Sequence, residues 1–321
     1  MVVGWVILGS NPSSPAYFRA AIAVLGTNQH RPLGGTGWQV PPIVFGTAAL
    51  GNVGRVITEQ AKVAIIGEWF RQVAPPVFIE AAYEHGDGMA LEVLGRVLRR
   101  LEVTSKEVVI QLAVAGRVAE CWEKSCRLLG EAYRPTLIAV CDADEEGRRV
   151  ASELKAAGEV RGVGVVVSDW RAARGSVATS EADWITLVGG CTVMRHPPDV
   201  LAFMAELASR QIPVIVAGVF DCGFLVGGSR LDGRVVSAED PADRSLFAWR
   251  KAFVALCDGH GITPAHACIH FALSLPGVVA VRLDSSYADR VAANIGSAYA
   301  GVPEKFWESM EDEGLLGAGS R

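Results

Sequence analysis

The chain has no C-x-x-C pair, no G-x-G-x-x-G loop, no cluster of Lys and Arg, and no apolar run long enough to cross a bilayer. Each absence closes off a class. The seven Cys are odd in number and scattered through apolar segments, which suits a reduced, cytoplasmic protein better than a disulfide framework. Without the glycine fingerprint an open, doubly wound dinucleotide-binding sheet loses its main signature, and GTAALGNVG does not supply it. A net charge of −5 with no basic stripe argues against nucleic acid and anionic membrane as partners. The apolar start, MVVGWVILGS, is short and lacks a basic flank. It reads as a buried N-terminal hairpin or a start-site artefact rather than a signal peptide.

What is present is ample apolar material: 321 residues, half of them hydrophobic, enough for one large core or two smaller domains. Short β-branched runs end near Gly46, Ile79, Leu112, Val140, Val167, Val188, Val219 and Leu283. Amphipathic stretches alternate with them, at 59–73, 91–101, 119–129, 145–157, 200–210 and 244–260. The runs IVFGT, TLIAV, GVGVVV and PVIVAGVF are continuously apolar, as strands of a buried parallel sheet should be. Eight such alternations predict a single (β/α)8 barrel over residues 1–321. Residues 1–40 form an extension ending in a hairpin, RPLGGTGWQVPP, across the barrel bottom. Residues 229–243 form a polar loop over the top face, a C-terminal helix or extension crosses near the top, and 314–321 form a frayed tail.

Residues Val77–Glu92 read VFIEAAYEHGDGMALE. This segment resembles the aldo-keto reductase motif F-I-D-[ST]-A-x-x-Y-G-x-G, with Glu80 at the Asp position, His85 at the Tyr position, and Gly86 and Gly88 kept. RPLGGTG at Arg31–Gly37 and VFGTAALG at Val44–Gly51 are similar to the family's opening and first strand. GFLVGG at Gly223–Gly228, PADRSLFAWRKAF at Pro241–Phe253, and CIHFALSLPGVVAV resemble the L-fucose and D-threo-aldose 1-dehydrogenase branch. The resemblance covers nearly the whole chain and implies the barrel fold. It also implies an Asp, Tyr, Lys and His tetrad, in which Tyr donates a proton to the carbonyl and Lys lowers its pKa. Carried over by position, the four become Glu80, His85, Ala113 and Cys141.

The same resemblance places Gly46, Thr47, Ser168, Asp169 and Asn294 against a cofactor, and Asp142, Cys191, His196 and Asp221 around a substrate pocket. Asp284, in LDSSYA, stands where the branch has its phosphate-binding segment, and the usual basic residue is missing there. Electrostatics then predicts no cofactor or a weakly bound NAD, with NADP disfavoured.

These replacements leave several readings open. His85 titrates near neutrality, and Glu80 is a candidate to orient its ring, which would suit a lyase, isomerase or dehydratase acting on a sugar-like carbonyl compound. Drift in an unused pocket would give a pseudoenzyme that binds a ligand or a partner subunit. A third reading keeps the redox chemistry, an NAD-dependent aldose dehydrogenase with His85 in place of Tyr. A fourth takes Glu80, His85 and Cys141 as zinc ligands. Whether the chain is an enzyme therefore stays open, and contact between Glu80 and His85 is the feature that separates the non-redox enzyme from the pseudoenzyme. A sugar-like small molecule is the expected partner, with homo-oligomerisation left open. Packing is the default for Cys141, Cys191 and Cys222 at strand ends, and His270 and His260 read as structural.

Overall fold

Residues 30–141, 144–178 and 182–316 are described by the computed structural model, the side chains of 175–178 excepted. Two short strands, β1 (Arg31–Pro32) and β2 (Gln39–Val40), pair antiparallel as a hairpin. The apolar runs that follow become β3 (Ile43–Gly46), β4 (Val77–Ala82), β5 (Val108–Val114), β6 (Leu137–Cys141), β7 (Gly162–Val167), β8 (Trp184–Val188) and β9 (Val214–Ala217). A second small hairpin, β10 (Arg230–Leu231) with β11 (Arg234–Val235), precedes the last long strand, β12 (Val278–Leu283). The eight long strands are parallel and close on themselves in the order β12-β3-β4-β5-β6-β7-β8-β9. Both faces of each strand are covered, which is why the runs are apolar throughout and not alternating. The fold is a (β/α)8 barrel.

Helices α1 (Glu59–Gln72), α2 (Met89–Arg100), α3 (Val118–Leu129), α4 (Glu145–Ala156), α5 (Trp170–Ala178) and α6 (Pro198–Ser209) each follow a strand. After β9 come α7 (Arg244–Gly259) and α8 (Pro264–Leu273), and after β12 come α9 (Ala288–Tyr299) and α10 (Glu304–Asp312). Side-chain caps define several starts. Thr58 accepts from the Ala61 amide at 3.2 Å, and Asp144 from the Gly147 amide at 2.8 Å. The C-terminal α10 packs through Phe306, Trp307 and Met310, all fully buried, with Phe306 against His260 and Trp307 against Phe271.

Among the described residues two apolar cores result. The larger lies between strands and helices. The smaller fills the lower barrel interior with Val44, Phe78, Val109, Leu137, Trp184 and Ile215, and the hairpin side chains Leu33 and Val40 belong to it. Arg31 donates to the carbonyl of Val278, the first residue of β12, at 2.5 Å. The hairpin therefore closes the N-terminal end of the barrel. Because strand side chains alternate with period two, the next inward residues toward the other end are Gly46, Glu80, Gln111 and Thr186 on β3, β4, β5 and β8, with Ala139 and Ala217 on β6 and β9. Arg282 follows Ala280 in the same way. On β4, β5, β8 and β12 the interior thus changes from apolar to polar in one step along the axis.

The plug is a testable element. Leu33 is fully buried, so Leu33→Ala should cost about 2–5 kcal/mol, read as a lowered midpoint in chemical denaturation. A loss below about 0.5 kcal/mol, the size of an ordinary surface change, would show that the hairpin does not seal the barrel.

Candidate active site

The polar layer is organised by Glu80, which is buried in the middle of β4. One carboxylate oxygen accepts from Gln111 Nε2 at 2.8 Å, and the other is bound by the guanidinium of Arg282. Gln111 lies directly beside Glu80 on β5. Arg282 reaches from β12, on the far side of β3. Its second amino group lies 3.3 Å from Asp284 Oδ2, and Asp284 Oδ1 accepts the Ala48 amide at 3.1 Å. The crossing depends on Gly46: a Cβ there would come within 2.2 Å of the Asp284 carboxylate. Burial acts to lower the pKa of Arg282, but Glu80 and Asp284 outweigh it and hold the guanidinium charged, above its ordinary value.

His85 sits in the turn after β4, beside this layer. The 3-10 turn Ala48–Gly51 packs backbone to backbone against it. A Cβ on Gly51 would lie 2.1 Å from the His85 carbonyl, and one on Gly86 would lie 2.4 Å from the Gly51 carbonyl. Only a glycine pair allows that approach, and it sets the distance of 3.0 Å between Thr47 Oγ1 and His85 Nδ1. Nε2 makes no hydrogen bond among the described residues. Burial lowers the His85 pKa; Asp284, Glu80 and Glu84 pull it up, Arg282 pushes it down, and the result lies below the ordinary value. The ring is therefore neutral at pH 7. Glu80 does not orient it, because both Glu80 oxygens are engaged elsewhere and Thr47 takes that place.

The remaining candidates are spread more widely. Cys141 ends β6 and is half-buried. Ser168 and Asp169 are exposed beyond β7, where Asp169 accepts the amides of Arg171 and Ala172 at 3.0 and 3.2 Å and so caps α5. Asn294 is half-buried on α9. Asp142 lies outside the described residues. Cys191 is 1 % exposed, and burial pushes its thiol up to about 12. His196 is buried too: its Nδ1 lies 3.1 Å from the Thr192 carbonyl and its ring 5.0 Å from that of Phe271. Packing, not the barrel mouth, accounts for these last two. Asp221 is buried against Arg195 Nε at 3.1 Å, and Arg195 also donates to Asp232 at 2.7 Å, which ties the β10–β11 hairpin to the loop after β8.

Among the described residues no three His, Cys, Asp or Glu side chains converge as metal ligands. Glu80 cannot join His85 and Cys141 in a zinc site while Arg282 and Gln111 hold its oxygens. The cation thought missing near the phosphate segment is also present. Arg55 and Arg290 lie against the ring of Tyr287, at 4.7 and 4.8 Å from its centroid, where α9 begins. The charge of Asp284, which seemed to oppose a phosphate, is paired with Arg282.

A closed parallel barrel with an apolar plug at one end and a buried polar network at the other is a (β/α)8 protein with its candidate site at the C-terminal ends of the strands. The sequence profile of the aldo/keto reductase family matches residues 42–312, and the chain belongs to that family. It is 24% identical over 170 residues to a pyridoxal 4-dehydrogenase of Microbacterium luteolum, a match covering 53% of this chain and 49% of that one. The chain thus spans about half the length of this curated relative. A glycerol dehydrogenase of Gluconobacter oxydans superposes with a TM-score of 0.69 at 15% identity, covering 90% of this chain and 95% of its own. An aldo/keto reductase of Klebsiella pneumoniae, in complex with NADP and acetate, gives 0.67 at 18% identity over 92% of this chain and 97% of its own. The NADP-bound neighbour overturns the expectation of no cofactor or weak NAD with NADP disfavoured. The physical error lay in treating Asp284 as unpaired and the segment as lacking a cation.

Two tests follow from the geometry. Glu80→Ala would strand the buried Arg282 charge and should destabilise by about 3–5 kcal/mol, whereas Glu80→Gln should cost less; equal, small losses in urea denaturation would contradict a structural ion pair. In thiol titration of the folded chain, exposed Cys222 should react first, and Cys191, Cys257 and Cys268, each raised by burial, should stay silent until unfolding.

Proposed function

We propose that the chain is a nicotinamide-dependent oxidoreductase that interconverts an alcohol and a carbonyl on a small polyhydroxylated substrate, with His85 handling the proton. The observation that carries this reading is the Thr47–His85 pair at the barrel mouth: one ring nitrogen is held and the other is left for a substrate oxygen. The cofactor fit is supported by Arg55 and Arg290 at the start of α9, where cations and helix amides together suit a dinucleotide's phosphates. A bound nicotinamide would accept or return the hydride. Asn294, Ser168, Asp169 and the backbone at Gly46 remain its candidate contacts.

In this reading the Nδ1–H of neutral His85 donates to Thr47 Oγ1, which leaves the Nε2 lone pair facing the substrate hydroxyl. As the carbinol C–H hydride departs, Nε2 takes the hydroxyl proton and the C–O bond becomes a carbonyl. In the reverse direction the imidazolium returns that proton to the carbonyl oxygen. A depressed His85 pKa keeps the base form in excess at neutral pH, which favours oxidation. The family branch, and the names of the dehydrogenases this chain resembles, support a polyol, a lactol sugar or pyridoxal as substrates.

The test is a steady-state assay of NAD(P)H formation with NAD and NADP over those substrates. For oxidation, kcat/KM should rise with pH through a value below about 6.5 and then stay flat across neutrality. The rise marks loss of the His85 proton, so the active form is the unprotonated one. His85→Phe should lower kcat by about 10²–10⁴-fold with a smaller change in KM. No turnover with either cofactor, or His85→Phe within threefold of the unaltered chain, would refute the reading.

A further inference from the structure

Glu80, Arg282 and Asp284 form a line of contacts from the sealed interior to the rim, and its outer end touches the segment that holds His85. Arg282 is largely buried, its side chain 18 % exposed, and lies at its centre. Inside, Glu80 is fixed by Gln111 as well as by Arg282. Outside, Asp284 is partly exposed, so its rotamer is set by what it binds: Arg282 at 3.3 Å and the Ala48 amide at 3.1 Å. Ala48 is the first residue of the Ala48–Gly51 turn, and Thr47, its neighbour, holds His85 Nδ1. We propose that Arg282 is the positioning residue of this site: through Asp284 and the Thr47–Ala48 backbone it holds the His85 ring in a single tautomer, with Nδ1 on Thr47 and Nε2 left for the substrate. The proposal rests on the reading that His85 is the working group.

The physical argument is one of rigidity and charge. An exposed carboxylate alone is a poor anchor, because it trades its partners for water at little cost. A carboxylate clamped by a buried guanidinium is not free to do so, and the planar fork of Arg can serve two carboxylates at once where a Lys ammonium serves as a point charge. The charged groups facing His85 are Glu84 in its own turn, Glu80 on β4, and Arg282 and Asp284 on and beyond β12. Arg282 is the cation among them, so the same residue that fixes the Asp284 rotamer also offsets the carboxylates that would otherwise draw a proton onto the ring.

The test uses the full chain with 15N-labelled histidine, the His85 signal being assigned by its loss in His85→Phe. The unaltered chain should show one neutral tautomer, protonated at Nδ1. In Glu80→Gln/Arg282→Met, which removes the pair together and so spares the fold an orphan charge, the tautomers should average and the titration midpoint should rise, because the loss of Arg282 outweighs that of Glu80. Arg282→Lys should keep the midpoint closer to that of the unaltered chain yet still mix the tautomers. Should the double variant not fold, Asp284→Asn gives the answer on an accessible residue: loss of a carboxylate should lower the midpoint and loosen the tautomer. An unchanged tautomer and midpoint in any folded member of this set overturns the proposal. None of these readouts needs turnover. Absence of dehydrogenase activity would sink the proposed function while leaving this result interpretable, and an active enzyme with an indifferent His85 would sink only the role of Arg282.

Discussion

A buried carboxylate and a buried guanidinium, Glu80 and Arg282, meet inside the barrel with β3 between their strands, and the rest of the mouth is arranged around their contact. Charges taken out of water are costly, and their mutual attraction compensates only when the remaining hydrogen-bonding positions are also filled. Gln111 satisfies the second oxygen of Glu80, and Asp284 takes the second amino group of Arg282. Gly46 gives the space in which the pair and Asp284 can meet over β3. Four strands thereby contribute to one network: β3 by a missing side chain, β4, β5 and β12 by their inward-facing polar residues. An apolar set of similar volume would pack as well or better, so stability alone does not explain this charge at the C-terminal ends of the barrel strands.

The interior's division into two layers makes such a network tenable. Below it, Phe78, Trp184 and Leu33 fill the barrel and the hairpin closes the bottom. Water reaches the charges only from the rim. Their interactions are screened less than surface ion pairs would be, and the orientation of each group is fixed by neighbours that cannot move without opening the core. The same condition depresses the pKa of His85, because its ring sits where the protonated form loses hydration.

Much of the fold was legible in the sequence, since apolar runs of strand length recur with amphipathic stretches between them. The expected strand ends at Gly46, Val167, Val188 and Leu283 coincide with observed ends, and the others fall within a few residues. The site was less legible. Position in a motif located Glu80 and His85, but it could not say which partners their side chains would choose. Arg282 was overlooked because VVAVRL reads as one more buried strand; the signal was there, a lone charge in an otherwise apolar parallel strand, where it must either be paired or face the active end. Arg55 and Arg290 are 235 residues apart in sequence, and only closure of the barrel between β12 and β3 brings both to Tyr287.

Strand-end position proved a weak guide for the cysteines and histidines, for a reason rooted in strand geometry. Side chains alternate between the lumen and the helix layer, so a shift of one residue exchanges a pocket wall for a packing position. Cys141 continues the inward series of Leu137 and Ala139 on β6 and stays half-buried at its end. Cys191 and His196 lie beyond the end of β8, where the chain turns through Gly189 and Gly190, and their side chains pack into the outer core instead. His85 is also beyond its strand, but the Gly51–Gly86 contact pins its turn to a neighbouring strand's loop before any packing layer can enclose it. The difference between the enclosed His196 and His85 at the barrel mouth is thus set less by the residue than by the backbone contact beside it, which holds one ring nitrogen of His85 on Thr47.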